Sequence, residues 1–170
     1  MDDMRDTMRQ RFFVMYQTIK YKDAFFNSHY RRAYWGNLIF SATTLLVSIA
    51  SALIWSVSNQ MPALWAIVIA AAQLMQSLQS FMPWAKRLSA LEHFQPDLWD
   101  LLLEIENFWN YIDIEAWNAE RINSARADFD HDYVALEQKY IGSVHFPNTK
   151  RISAEATEET NTFFRNRYTI

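Results

Sequence analysis

The sequence predicts an all-α protein built around a two-helix transmembrane hairpin, and three observations lead there. No Asp, Glu, Lys, Arg or His occurs from Ala33 to Ala85, although 21% of the chain is charged. One polar cluster, Ser58-Asn59-Gln60-Met61-Pro62, divides that stretch into two apolar segments of helical length. Outside it, apolar residues recur every three or four positions and no alternating strand pattern is convincing.

The uncharged stretch, 33–85, dictates the centre of the molecule. A charged side chain in the middle of a bilayer helix costs roughly 2.5–3.5 kcal/mol. A helix with one wet face has no such penalty and is normally amphipathic. The turn 58–62 leaves segments 34–57 and 63–82. Roughly 20 residues rising about 1.5 Å each cross the ~30 Å hydrocarbon core, so both segments suffice. The connection is short enough to force an antiparallel hairpin. Trp35 and Trp55 flank the first segment and Trp65 and Trp84 the second, as interfacial aromatic belts do. The alternative is a hairpin buried inside a soluble protein, for which 170 residues leave little wrapping material.

Orientation follows from the basic flanks. Arg31 and Arg32 precede the hairpin, Lys86 and Arg87 follow it, and the connecting loop is uncharged. The positive-inside rule then puts both termini in the cytoplasm. The first 30 residues are charged and lack the apolar core of a cleavable signal. The absence of cysteine excludes disulfides and thiolate metal sites.

Residues 1–32 carry seven Lys/Arg against four Asp/Glu, a net of +3. They read as an amphipathic helix through Met8, Phe12, Met15, Ile19, Phe26 and Tyr30, with Lys20, Lys22 and Asp23 facing water. This helix either lies on the anionic membrane surface or packs on the C-terminal helices. The further aromatics Phe13, Tyr16, Tyr21 and Phe25 favour packing.

Residues 86–170 carry nine Lys/Arg against fifteen Asp/Glu, a net of −6, and form a cytoplasmic acidic helical region. Pro83 marks a bend at the exit of the second span. Gln95-Pro96 is expected to break the next helix, with Pro96 and Asp97 opening a new one. Leu98, Leu102, Ile105, Trp109, Ile112 and Ala116 then follow heptad-like spacing, continued by Ile122, Ala125, Phe129, Tyr133, Leu136 and Tyr140. This is one long helix or a pair, with Glu104, Glu106, Asp113 and Glu115 on its other faces. Its apolar stripe needs a partner, either the N-terminal helix or the same helix of another subunit. Gly142 and Pro147 end it. A terminal helix over 153–168 follows, with Phe163, Phe164 and Tyr168 as its apolar contacts.

Polar residues inside the spans are ordered. Asn37, Ser41, Thr44, Ser48 and Ser51 share one stripe of the first helix. Gln73, Gln76, Ser77 and Ser80 form another on the second. An unpaired amide in hydrocarbon costs several kcal/mol, so each stripe faces another helix or water. As packing surfaces, the small residues allow close approach and the amides bond across helices. As pore-lining residues, they need several hairpins, because one cannot enclose a pore. Both readings imply a homo-oligomer, and an uncharged pore would select poorly among ions.

Enzymatic chemistry finds little foothold. His29, His93, His131 and His145 are scattered. Asp128, Asp130, His131 and Asp132 could hold a divalent cation weakly, but an acidic solvated helix face explains them as well. No phosphate loop, nucleophile motif or metalloprotease helix is present, and the acidic C-terminal region disfavours nucleic acid. The expectation is a non-enzyme without cofactor or metal.

An aromatic-rich helix from Tyr16 to Tyr34 leads into the hairpin. Pro83-Trp84-Ala85-Lys86-Arg87 leads out into an acidic helix carrying Trp99, Trp109 and Trp117. In this layout residues 10–140 resemble the SLATT-type two-transmembrane proteins of bacteria. The resemblance implies an oligomeric inner-membrane effector of bacterial conflict, including anti-phage defence, that permeabilises the bilayer when triggered. Such proteins are often encoded beside nucleotide-messenger enzymes or other sensors. No nucleotide-binding module is visible in this chain, which implies gating by a cytoplasmic sensor or partner protein. The alternative is a scaffolding membrane protein whose cytoplasmic helices dock a partner.

Overall fold

A computed structural model describes the backbone of residues 2–57, 62–78, 82–114 and 117–168. It describes the side chains of all of these except 2, 50–57, 62–65, 72, 75, 76, 78 and 113. Among the described residues the chain is all-helical: α1 Asp2–Val57, α2 Pro62–Leu78, α3 Pro83–Ile114, α4 Ala119–Tyr140 and α5 Lys150–Tyr168. It divides into two compact units, Met1–His29 with Ala90–Ile170, and Tyr30–Ser89.

The first unit is a four-helix bundle centred on the N-terminal half of α1. Phe12 meets Phe108 of α3 and Phe26 meets Phe94, so α1 and α3 run antiparallel. Phe13 meets Phe164 of α5, and Tyr21 shares a hydrogen bond with Ser153 at 3.0 Å, so α5 is antiparallel as well. Arg5 reaches Trp117 at the entry to α4, Phe12 meets Phe129, and Lys22 pairs with Glu137. These pairings make α4 parallel to α1. The expected N-terminal stripe supplies the core through Phe12, Met15, Ile19 and Phe26, joined by Tyr16. Each aromatic pair adds about 0.5–1.5 kcal/mol beyond its buried area.

Asp23 departs from expectation. It is buried, and its carboxylate accepts from Lys20 Nζ at 2.7 Å and from Trp99 Nε1 at 3.2 Å. Position 23 lies on the stripe that contains Ile19 and Phe26, so helix geometry turns it inward. Charge-assisted hydrogen bonds then replace water.

Gln95-Pro96 does not break the chain either. α3 continues through Pro96. Leu91, Phe94 and Leu98 are all fully buried on one face, and that packing holds the helix together across the missing N–H. The long C-terminal stripe is a pair of helices. Asn118 starts α4 by accepting Arg121 N–H at 2.9 Å. Arg5 meets the carbonyls of Ile112 and Trp117 at 3.3 and 3.1 Å, placing a cation at the C-terminal end of α3. At Gly142, just past α4, a Cβ would stand 3.0 Å from the Gln138 carbonyl, so only glycine fits this approach. α5 begins earlier than the sequence suggests, because Thr149 Oγ1 accepts the Ile152 N–H at 3.4 Å as its cap.

The second unit holds the rest of α1, α2 and the start of α3. Its described aromatic contacts are few; Phe40 and Trp84 meet at 5.9 Å. α2 has 17 residues, which at about 1.5 Å each fall short of the ~30 Å a full crossing takes. The expected segment 63–82 thus ends as helix at Leu78, and 79–81 lie outside the described residues. Among the described residues, no helix is long and apolar enough to cross a membrane.

Candidate functional site

The uncharged unit is the unusual surface of this molecule. Side chains that fill the core of an ordinary domain point outward here. Ile39 is 62% exposed, Leu46 66%, Ile67 70% and Leu74 62%. Tyr34, Trp35, Leu38, Leu45, Val47, Ile49 and Ile69 are exposed as well. Among the large apolar side chains described in this unit, only Leu88 is buried. Contiguous apolar patches on soluble monomers rarely exceed a few hundred Å². A helix apolar on every side is stable only in apolar surroundings. A hairpin wrapped inside its own protein is therefore excluded for the described residues. Exposed Arg31, Arg32 and Lys86, with half-buried Arg87, bound the surface in sequence.

The polar stripes are placed as follows. Asn37, Ser41 and Thr44 are half-buried and Ser48 is exposed. Thr44 Oγ1 donates to the Phe40 carbonyl at 2.9 Å, and Ser48 Oγ to the Thr44 carbonyl at 2.9 Å. Ser77 Oγ donates likewise to Gln73 O at 2.9 Å, while the Gln73 side chain is exposed. These three hydroxyls are satisfied inside their own helices. Their demand for an outside partner, assumed in reading the stripes, therefore falls away. That demand stays with amides such as Gln73. The side chains of Ser51, Gln76 and Ser80 lie outside the described residues.

In the bundle unit, Leu98, Leu102, Ile105 and Ile112 are buried, and Trp109 is half-buried against Phe12, Phe13 and Tyr168. Their stripe finds its partner in α1 of the same chain. Ala116 lies outside the described residues. Asp128, Asp130, His131 and Asp132 are exposed on α4. Among the described residues no group of three or more His, Asp or Glu could hold a metal ion, which removes the weak cation site.

Two tyrosines carry perturbed chemistry. Burial pushes the Tyr16 hydroxyl far above its ordinary value, with Tyr168 adding to it. Burial does the same to Tyr133, helped by the negative charge of Glu137. Neither sits beside a nucleophile or metal ligand set that would make it catalytic. Sequence reading missed Asp23, the Arg5 cap and the inward Tyr133–Arg126 pair. Only the position of Asp23 on the apolar stripe signalled its burial in advance.

Comparisons with protein-family models, with curated proteins and with solved structures find no match to this chain.

Proposed function

We propose that this chain is an oligomeric, non-enzymatic effector of a bacterial inner membrane, in which the uncharged hairpin embeds and the helical bundle remains cytoplasmic. A trigger relayed by a partner protein lets assembled hairpins leak, halting the cell during phage attack. The observation that carries the membrane part is the outward display of Ile39, Leu46, Ile67 and Leu74 on a unit without a charge from Ala33 to Ala85. Such a surface needs lipid or other copies of itself around it. The defence role rests on the SLATT-type layout alone.

Induced expression tests it by membrane-potential dye and growth. Depolarisation and arrest are expected, and both are lost when Ser48, Gln73 and Gln76 become Leu. A normal potential at high expression and during phage challenge sinks the effector reading. A reporter active only outside the cytoplasm should work when fused after Asn59 and stay silent after Arg87.

A second reading has its own support. The hydroxyls of Thr44, Ser48 and Ser77 are bonded within their helices, so the stripes do not require water. The hairpin is then an anchor and the bundle a docking scaffold. That reading predicts stable co-purification with one partner and no toxicity.

A further inference from the structure

The bundle unit contains a groove between α1 and α4 of about 610 Å³, within the ~300–1,000 Å³ of small-molecule sites. Because the two helices run parallel, its walls can be ordered end to end. Arg11 and Arg126 lie at one end, and Val14, Ile19 and Val134 lie toward the other. Val14 and Val134 are 54% and 41% exposed, so the apolar end is open.

Two donors in this groove are unspent. Arg126 Nε and the Tyr133 hydroxyl are both buried without a hydrogen-bond partner. Tyr133 as a whole is only 6% exposed. Glu137, one turn along, meets Lys22 at 3.5 Å instead. Buried unpaired donors cost stability, and natural proteins keep few of them. The groove's threonines do not compete for a ligand, since Thr7 and Thr18 donate to the carbonyls of Asp3 and Val14. Asp130 also lines the groove. Against Arg11 and Arg126 it leaves one net positive charge, which suits one anionic head. From Arg11 to Ile19 the α1 wall rises roughly 12 Å at about 1.5 Å per residue, long enough for an octyl chain.

We infer that this groove binds an amphiphilic anion, its carboxylate or phosphate head on Arg126 and Tyr133 and its aliphatic chain along Val14, Ile19 and Val134. The site lies within the bundle and does not rest on the membrane reading.

The test is calorimetric titration of the full chain in phosphatidylcholine nanodiscs, with empty discs as the blank. Octanoate and octyl phosphate are the probes, and octanol is the neutral control. Saturable binding of at least one anion is expected, and which one binds identifies the head group. Arg126→Gln and Tyr133→Phe should each weaken it about tenfold or more, as loss of a charge-assisted hydrogen bond does. Tyr133→Phe keeps the buried ring, so its fold serves as the check if Arg126→Gln fails to fold. Heats equal to those of empty discs overturn the inference. So does octanol binding as tightly as the anions, or Tyr133→Phe binding unchanged while its melting curve matches that of the parent.

Discussion

Replacing Pro96 with Ala should stabilise this protein. Pro96 is exposed and sits inside α3, with buried Phe94 and Leu98 on either side. A proline there leaves the Glu92 carbonyl without its i+4 donor and pushes its ring against the preceding turn, at a cost of about 3 kcal/mol. Alanine restores the donor and removes the ring. It also frees the unfolded chain, which returns roughly 0.4–1 kcal/mol of that gain. The net is about 2 kcal/mol, equivalent to a melting temperature roughly 4–8 °C higher for a chain of this size. Urea unfolding followed by far-ultraviolet circular dichroism measures it, as a raised midpoint at unchanged slope. Pro96→Gly calibrates the result, because glycine should gain about 1 kcal/mol less than alanine. Unchanged or lowered stability in Pro96→Ala would refute the continuous helix. Pro96 would then be serving as the first residue of a new helix, where its fixed φ is an asset.

Ile105 is fully buried, so Ile105→Ala should cost about 2–5 kcal/mol through lost burial and a residual cavity, read by the same unfolding assay. Asp23→Ala should cost about 1–3 kcal/mol by stranding the buried Trp99 and Lys20 donors, and Asp23→Asn, which can still accept from Trp99, should cost less. Burial raises the folded-state values of Tyr16 and Tyr133, so their contribution to stability is complete below the unfolded tyrosine value of about 10 and is lost as pH rises above it. Spectroscopic titration should therefore show these two ionising only as the bundle unfolds, and Tyr16→Phe should flatten the alkaline loss of stability.

Helical class, the uncharged stretch and most of the core were legible in the sequence, because each follows from local spacing. Phe12, Met15, Ile19 and Phe26 on α1, and Leu98, Leu102, Ile105 and Ile112 on α3, repeat at helical intervals, and all are buried. Asp23 was legible in position but not in fate. Its residue type argues for water, and only Trp99 arriving from α3 makes burial tolerable. Pro96 is the opposite case, since a local breaker signal lost to burial on both sides of it.

By itself, the sequence determined that this chain is helical, that its charge is polarised, and that one unit cannot bury its apolar surface in water. Those are properties of composition and period, which no tertiary arrangement can undo. Tertiary structure alone decided which helices are partners. It brought α3, α4 and α5 around one half of α1, gave the heptad-like stripe a partner within the chain, and turned Arg126 and Tyr133 into a common groove. Residues more than a hundred positions apart meet there, and periodicity carries no information about which stripe faces which.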